Sequence, residues 1–221
     1  EALGATRAPD AAAALCTLAA TAQPDVARAA VAALSLTPGT EALVGLLAAL
    51  DGPDEGVRLA VLAALGERGD PGAVTRITEI ARQAPSERER DAALAALGRI
   101  GGTQAIAALL QACGDRRAEP AAVDALASLP DDQLSELSNG LRDPDARVRR
   151  SVVEALARRR DGRAAPLLAD ALEDRTPVVR QAAARALRRL DLHSVRSRLE
   201  LLARSDDDAA VREAAQSALS K

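Results

Sequence analysis

Leucines close a recurring pattern along this chain. Leu34, Leu65, Leu97, Leu129, Leu156, Leu187 and Leu219 follow one another in steps of 31, 32, 32, 27, 31 and 32 residues. Self-similarity at a fixed period of this size is the signature of a repeat architecture, in which each copy is one supersecondary unit. The clearest copies open on Asp143-Pro144-Asp145-Ala146-Arg147-Val148-Arg149, Asp174-Arg175-Thr176-Pro177-Val178-Val179-Arg180 and Asp206-Asp207-Asp208-Ala209-Ala210-Val211-Arg212. An earlier one opens on Asp51-Gly52-Pro53-Asp54-Glu55-Gly56-Val57-Arg58. The copies ending at Leu34, Leu97 and Leu129 are weaker.

Each copy reads as two helices. The first carries Leu or Ile at spacings of three and four, as in Leu43, Leu46, Leu47 and Leu50, or Leu134, Leu137 and Leu141, which is the period of an amphipathic helix. The second is alanine-rich. Eleven residues before the closing leucine stand Asp54, Ser86, Asp145, Thr176 and Asp208, whose side-chain oxygens suit them to cap a helix amino end. Copies one and four have Gln23 and Ala118 there. Glycine and proline mark the loops, at Pro38-Gly39, Gly69-Asp70-Pro71-Gly72, Gly101-Gly102, Pro130 and Gly162. A pair of helices this short cannot bury its apolar side alone and must stack on its neighbours. The 54 alanines and 32 leucines supply most of the apolar content, and small alanine side chains let stacked helices approach closely.

The expected fold is all-α: a right-handed α-solenoid of about seven helical hairpins, one array over 1–221. The step of 27 marks an irregular junction at Pro130, where Leu129 reaches Leu134 in five residues and other copies take nine. Residues 1–130 hold 11 Arg and 16 acids, and residues 131–221 hold 17 Arg, one Lys and 16 acids, so charge also changes sign there. A change of superhelical twist at 130 within a continuous array is the expectation.

The pattern D-P-x-x-x-V-R-x-A-A-x-x-A-L resembles the short HEAT-like repeat of the phycobilin-lyase type, most strongly at 143–156, 174–187, 206–219 and 51–65. That resemblance implies that the second helices line a concave side. Six and two residues before each closing leucine then lie on an exposed stripe. In copies two to four the stripe is mostly small or apolar, and Arg28, Leu59, Ala63, Asp91, Ala95, Val123 and Ala127 are the candidate partner-binding residues. The competing reading is that alanine merely favours helix and that Leu59 and Val123 pack locally.

Composition narrows function. Phe, Tyr, Trp and Met are absent, so bases or sugars have no stacking platform and an interface has no aromatic anchor. His193 is the single histidine, too little for a triad or a histidine-rich zinc site. Some HEAT-like families are metal enzymes built on His-Glu pairs, which this sequence lacks. Asp206-Asp207-Asp208 lacks the spacing of a calcium loop and reads as a cap cluster. Cys16 and Cys113 fit no metal spacing, and so few cysteines suggest a reducing, cytoplasmic setting. No catalytic residue, cofactor or metal is expected. No apolar run is long enough to span a membrane, and the start at Glu1 suggests a trimmed chain or a domain of a larger one.

Two sets of arginines remain. Arg58, Arg90, Arg149, Arg180 and Arg212 all stand seven residues before a closing leucine. They are expected to form a structural ladder to an Asp or carbonyl of the neighbouring turn, with phosphate binding as the alternative. The segment 142–198 holds fifteen Arg against eight acids, densest at Arg158-Arg159-Arg160 and Arg188-Arg189. It reads as a solvated face, or else as an electrostatic site for nucleic acid or an anionic surface. The leading expectation is a non-enzymatic scaffold for another protein, acting as a monomer or as a domain. Nucleic-acid binding is the first alternative. The second is a lyase-like or chaperone-like helper of a cofactor protein, suggested by the resemblance alone.

Overall fold

A computed structural model describes residues 9–159, 162–188 and 195–220. Among them every element is helical, and the helices follow one another in the order that the leucine period requires. The hairpins are α1 (Pro9–Thr21) with α2 (Pro24–Leu36), α3 (Thr40–Ala49) with α4 (Glu55–Arg68), and α5 (Val74–Gln83) with α6 (Glu87–Ile100). They continue with α7 (Gly102–Cys113) and α8 (Glu119–Ala127), α9 (Leu137–Gly140) and α10 (Ala146–Arg159), α11 (Ala165–Ala171) and α12 (Pro177–Leu187), and α13 (Arg196–Ser205) and α14 (Ala209–Leu219). The fold is an all-α solenoid. It divides into two compact units, Glu1–Leu109 and Leu110–Lys221, so the sequence of α7 runs across the boundary.

In the first unit α2, α4 and α6 stack side by side, and α1 packs on α3. In the second, α8, α10, α12 and α14 stack in the same way. The closing leucines sit at the centre of these stacks. Leu34, Leu65, Leu97, Leu156 and Leu187 are completely buried. Three residues earlier, Val31, Leu62, Leu94, Leu126, Val153 and Ala184 form a second buried row, which ends at the exposed Gln216. Small residues set the spacing. A Cβ on Gly66 of α4 would lie 3.0 Å from the Cα of Ala96 on α6, and one on Gly45 of α3 would lie 2.0 Å from Cys16 Sγ on α1. These helices touch nearly backbone to backbone, so a core of Leu, Val, Ile and Ala fills the space without a ring.

Four of the five expected caps form. Asp54 accepts from the N–H of Val57, Ser86 from Glu89, Asp145 from Arg147, and Asp208 from Ala210 and Val211. Thr176 is the exception: its hydroxyl accepts instead from Arg149 Nη2 at 2.8 Å, so it serves the preceding hairpin. Gln23 and Ala118 make no side-chain cap, and a proline near the start of each helix removes one of the orphan donors.

The shortened step after Leu129 is absorbed by the first helix of the fifth hairpin. Asp131–Glu136 is a 3-10 stretch, followed by only the four residues of α9. A 3-10 helix rises about 2.0 Å per residue against about 1.5 Å for an α-helix, so fewer residues cover the same length. Gly140 at its end permits the tight fit: a Cβ there would stand 2.6 Å from Leu110 Cδ2 and 2.7 Å from Val152 Cγ2.

Candidate functional site

The second helices carry two kinds of repeated polar position, one turned into the stack and one turned to solvent. The inward kind is the arginine ladder. Arg149 places Nε and Nη2 on the carboxylate of Asp174 at 2.7 and 3.0 Å, and Nη1 on the carbonyls of Asp143 and Pro144 at 2.7 and 3.1 Å. Arg180 repeats this one hairpin later, with both carboxylate oxygens of Asp206 at 2.8 Å and the carbonyl of Asp174 at 2.8 Å. Asp174 is therefore held twice, by its side chain from one hairpin and by its carbonyl from its own. Its carboxylate also accepts the N–H of Thr176, as that of Asp206 accepts the N–H of Asp208, which fixes each turn before its helix.

Burial resists ionisation of Asp174, yet the hydrogen bonds from Arg149 and the Thr176 N–H, with the charge of Arg149, hold its carboxyl below the usual range. The Arg180 hydrogen bonds do the same for Asp206. Both carboxylates are thus ionised structural parts at neutral pH.

Two ladder members depart from the expected pattern. Arg58 has no Asp to meet in the third copy, where Ala84 stands at that position; it grips both oxygens of Glu89 at 2.9 Å. Glu89 is 3% exposed and occupies a position that is valine in copies two, five, six and seven. Sequence reasoning missed it, although an acid in a valine column was the available signal. Arg90 pairs instead with Glu87 and Asp91 of its own helix, because the acids within its reach lie there. At the end of the ladder Arg212 keeps the hydrogen bonds to its own turn, at the carbonyls of Asp206 and Asp207.

A second clamp was also missed. Arg68 and Arg159, three residues after a closing leucine, reach back to the carboxyl end of the preceding second helix. Arg68 Nη1 donates to Leu34 O at 3.1 Å and Thr37 O at 2.5 Å. Arg159 donates to the carbonyls of Ala127 and Leu129 and to Asp131. These arginines donate to carbonyls at and just past the helix end, where the intrahelical ladder runs out, and Leu34 O accepts the N–H of Thr37 as well. The arginine-rich segment is accordingly spent in part on structure. Arg158 pairs with Asp124, Arg163 with Asp131, and Arg198 with Asp170 and Glu173. Arg160, Arg189 and His193 lie outside the described residues.

The outward kind is the expected stripe. Two residues before the closing leucine, Ala32, Ala63, Ala95, Ala127, Glu154, Arg185 and Ser217 are all exposed or half-buried. Six residues before it, Arg28 is exposed, and Leu59 and Asp91 are half-buried. Val123 breaks the series: at 1% exposure it belongs to the core and is withdrawn from the stripe. A valine there follows the apolar demand of its surroundings, which the alternation of small residues around it concealed.

In the second unit the amino ends of α8, α10 and α12 border a cleft of about 600 Å³ lined by Arg116, Glu119, Asp145, Arg147, Arg150 and Val178. Cys113 is buried nearby, and burial pushes its thiol up to about 12. Among the described residues no group of three or more His, Cys, Asp or Glu is placed to hold a metal ion. No helix there is long and apolar enough to cross a membrane.

Residues 43–130 and 134–220 match the HEAT-repeat family, and the gap between the two segments falls on the shortened step after Leu129. The chain belongs to the HEAT-repeat family. Similar solved structures include human deoxyhypusine hydroxylase in complex with glycerol, at 20% identity and a TM-score of 0.49 over all of this chain and 98% of that one. An archaeal HEAT-like repeats protein from Thermococcus onnurineus NA1 gives 15% identity and 0.42 over 95% of each chain. An engineered protein gives 21% and 0.43 over 96% of this chain and 68% of its own. Likeness at this level carries nothing about activity. No curated protein matches the sequence. The HEAT assignment accounts for the ladder, the clamps and the buried leucines, and it leaves the outward stripe and the cleft as the surfaces open to function.

Proposed function

We propose that this HEAT-repeat chain is a non-catalytic scaffold that binds another protein along the face formed by its second helices, in a reducing, cytoplasmic compartment. One observation carries the reading: the position two before the closing leucine is open to solvent in every copy, between rows that are mostly buried. Leu59, Ala63, Asp91 and Ala95 bring this face together on α4 and α6, within one unit, with Arg28 exposed on α2. Small side chains there leave the helix backbone approachable, so a partner gains many modest contacts and needs no single anchor.

The test begins with capture of partners from the native host by the full chain, identified by mass spectrometry. Ala63→Glu with Ala95→Glu should then abolish capture of the main partner while leaving the helical dichroism intact. Unchanged capture by this double variant would refute binding on α4 and α6. Capture of nucleic acid, lost on raising salt, would favour the electrostatic alternative. That alternative is weakened by the ion pairs and carbonyl clamps that already occupy Arg149, Arg158, Arg159, Arg163, Arg180 and Arg198.

A further inference from the structure

The cleft beside α8, α10 and α12 is asymmetric in how its charges are satisfied. Its two carboxylates are occupied. Glu119 Oε1 accepts from Arg150 Nη2 at 2.6 Å and from Ser151 Oγ at 2.9 Å, and Asp145 Oδ1 accepts the N–H of Arg147 at 2.8 Å. Two of its three arginines are not. Among the described residues, neither the Arg116 nor the Arg147 guanidinium has a carboxylate within ion-pair distance or a hydrogen-bond acceptor. Val178, 44% exposed, adds an apolar wall beside them. A site with its acids used and its arginines free is complementary to carboxylates, which the planar guanidinium can bind through two parallel hydrogen bonds.

We propose that this cleft binds an acidic segment of a partner protein, with partner carboxylates on Arg116 and Arg147 and an apolar side chain against Val178. The proposal rests on the scaffold reading and adds a contact of defined chemistry in hairpins four to six, apart from Ala63 and Ala95. A nucleic acid fits less well. Its phosphates follow one another at fixed spacing and need a continuous basic track, whereas Glu119 and Asp145 stand among these arginines. There is also no aromatic residue on which a base could stack. Carboxylates on separate flexible side chains reach Arg116 and Arg147 individually and avoid the two acids.

The probe is a fluorescein-labelled peptide of about a dozen residues repeating Glu-Glu-Leu, titrated with the full chain at low salt and read by anisotropy. Arg116→Glu with Arg147→Glu should weaken binding at least tenfold, because two charge-assisted contacts become two repulsions. Arg188→Glu with Arg204→Glu, both exposed and off the stripe, makes the same change of net charge elsewhere and should alter binding less than about threefold. Single-stranded DNA of equal length should bind more weakly than the peptide. Absence of peptide binding, equal loss in both double variants, or tighter binding of DNA would each overturn the proposal. The Arg116 and Arg147 side chains hold no internal bond, so unchanged urea midpoints should show that the cleft variant folds. Failure here is separable from failure of the scaffold reading, which is scored on the captured host protein by the variants on α4 and α6.

Discussion

Arg180→Ala tests the ladder directly. The guanidinium makes two charge-assisted bonds to Asp206, whose side chain is 4% exposed, and one to the carbonyl of Asp174. Truncation leaves Asp206 with the N–H of Asp208 and no cation within hydrogen-bonding distance. Removing one partner of a buried pair costs about 3–5 kcal/mol, because an uncompensated charge remains. Arg180 keeps 16% of its side chain exposed, so water can enter and reduce this to about 2–4 kcal/mol. Arg185→Ala, on the exposed stripe one helical turn away, should cost less than about 0.5 kcal/mol. The chain has no Trp or Tyr to report unfolding, so urea titrations must be followed by far-ultraviolet circular dichroism.

The pH dependence supplies the sign. Asp206 has a lowered folded-state pKa, so its contribution is present above the unfolded value of about 4 and is lost as pH falls through the folded value. The gap between wild type and Arg180→Ala should therefore be full at pH 7 and narrow at about pH 3. Equal losses at Arg180 and Arg185, or a gap that persists undiminished in acid, would show that the carboxylate pair does not carry the coupling.

Gly45→Ala should destabilise the first unit by about 1–3 kcal/mol, because the added Cβ would stand 2.0 Å from Cys16 Sγ, and urea midpoints would show it. A thiol reagent at about pH 8 should modify Cys16 well before Cys113. Cys16 is half-buried, with its thiol raised by burial, while Cys113 is fully buried and its thiol is pushed up to about 12. Equal labelling rates in the folded chain would contradict that burial.

How far the sequence revealed this molecule depended on whether a feature repeats. The closing leucines, the caps at Asp54, Ser86, Asp145 and Asp208, and the ladder at Arg149 and Arg180 recur at one offset, so the period alone located them. Glu89 was hidden because it performs the Asp206 role from a different position, five residues further along its copy. The clamps of Arg68 and Arg159 were hidden because only two copies have them and their acceptors are backbone carbonyls, which have no letter in the sequence. Val123 was misplaced because a repeat offset describes an average copy. The fourth, with Ala118 at its cap position and Ala122 at its ladder position, is the least average. The cleft arginines stood in plain view, but that they stand unpaired beside two satisfied carboxylates depends on which neighbours reach them, and this is a property of packing.

The ladder also bears on how such a chain can lengthen or shorten. Arg149 meets Asp174 through the same atoms, and at nearly the same distances, with which Arg180 meets Asp206. The Asp206 carboxylate would offer Arg149 the same pair of oxygens, with Asp208 in the place of Thr176, whose hydroxyl Arg149 now also holds. A deletion of residues 174–205 would bring Asp206 to the place of Asp174, and a duplication of the same span would insert one more identical joint. Whole-period events are therefore nearly silent to the ladder, whereas a gain or loss of a few residues between an arginine and its aspartate would part them unless a first helix rewinds to absorb it, as Asp131–Glu136 does for the short step after Leu129. Over hairpins five to seven, one repeated bond thus favours changes of length by whole hairpins.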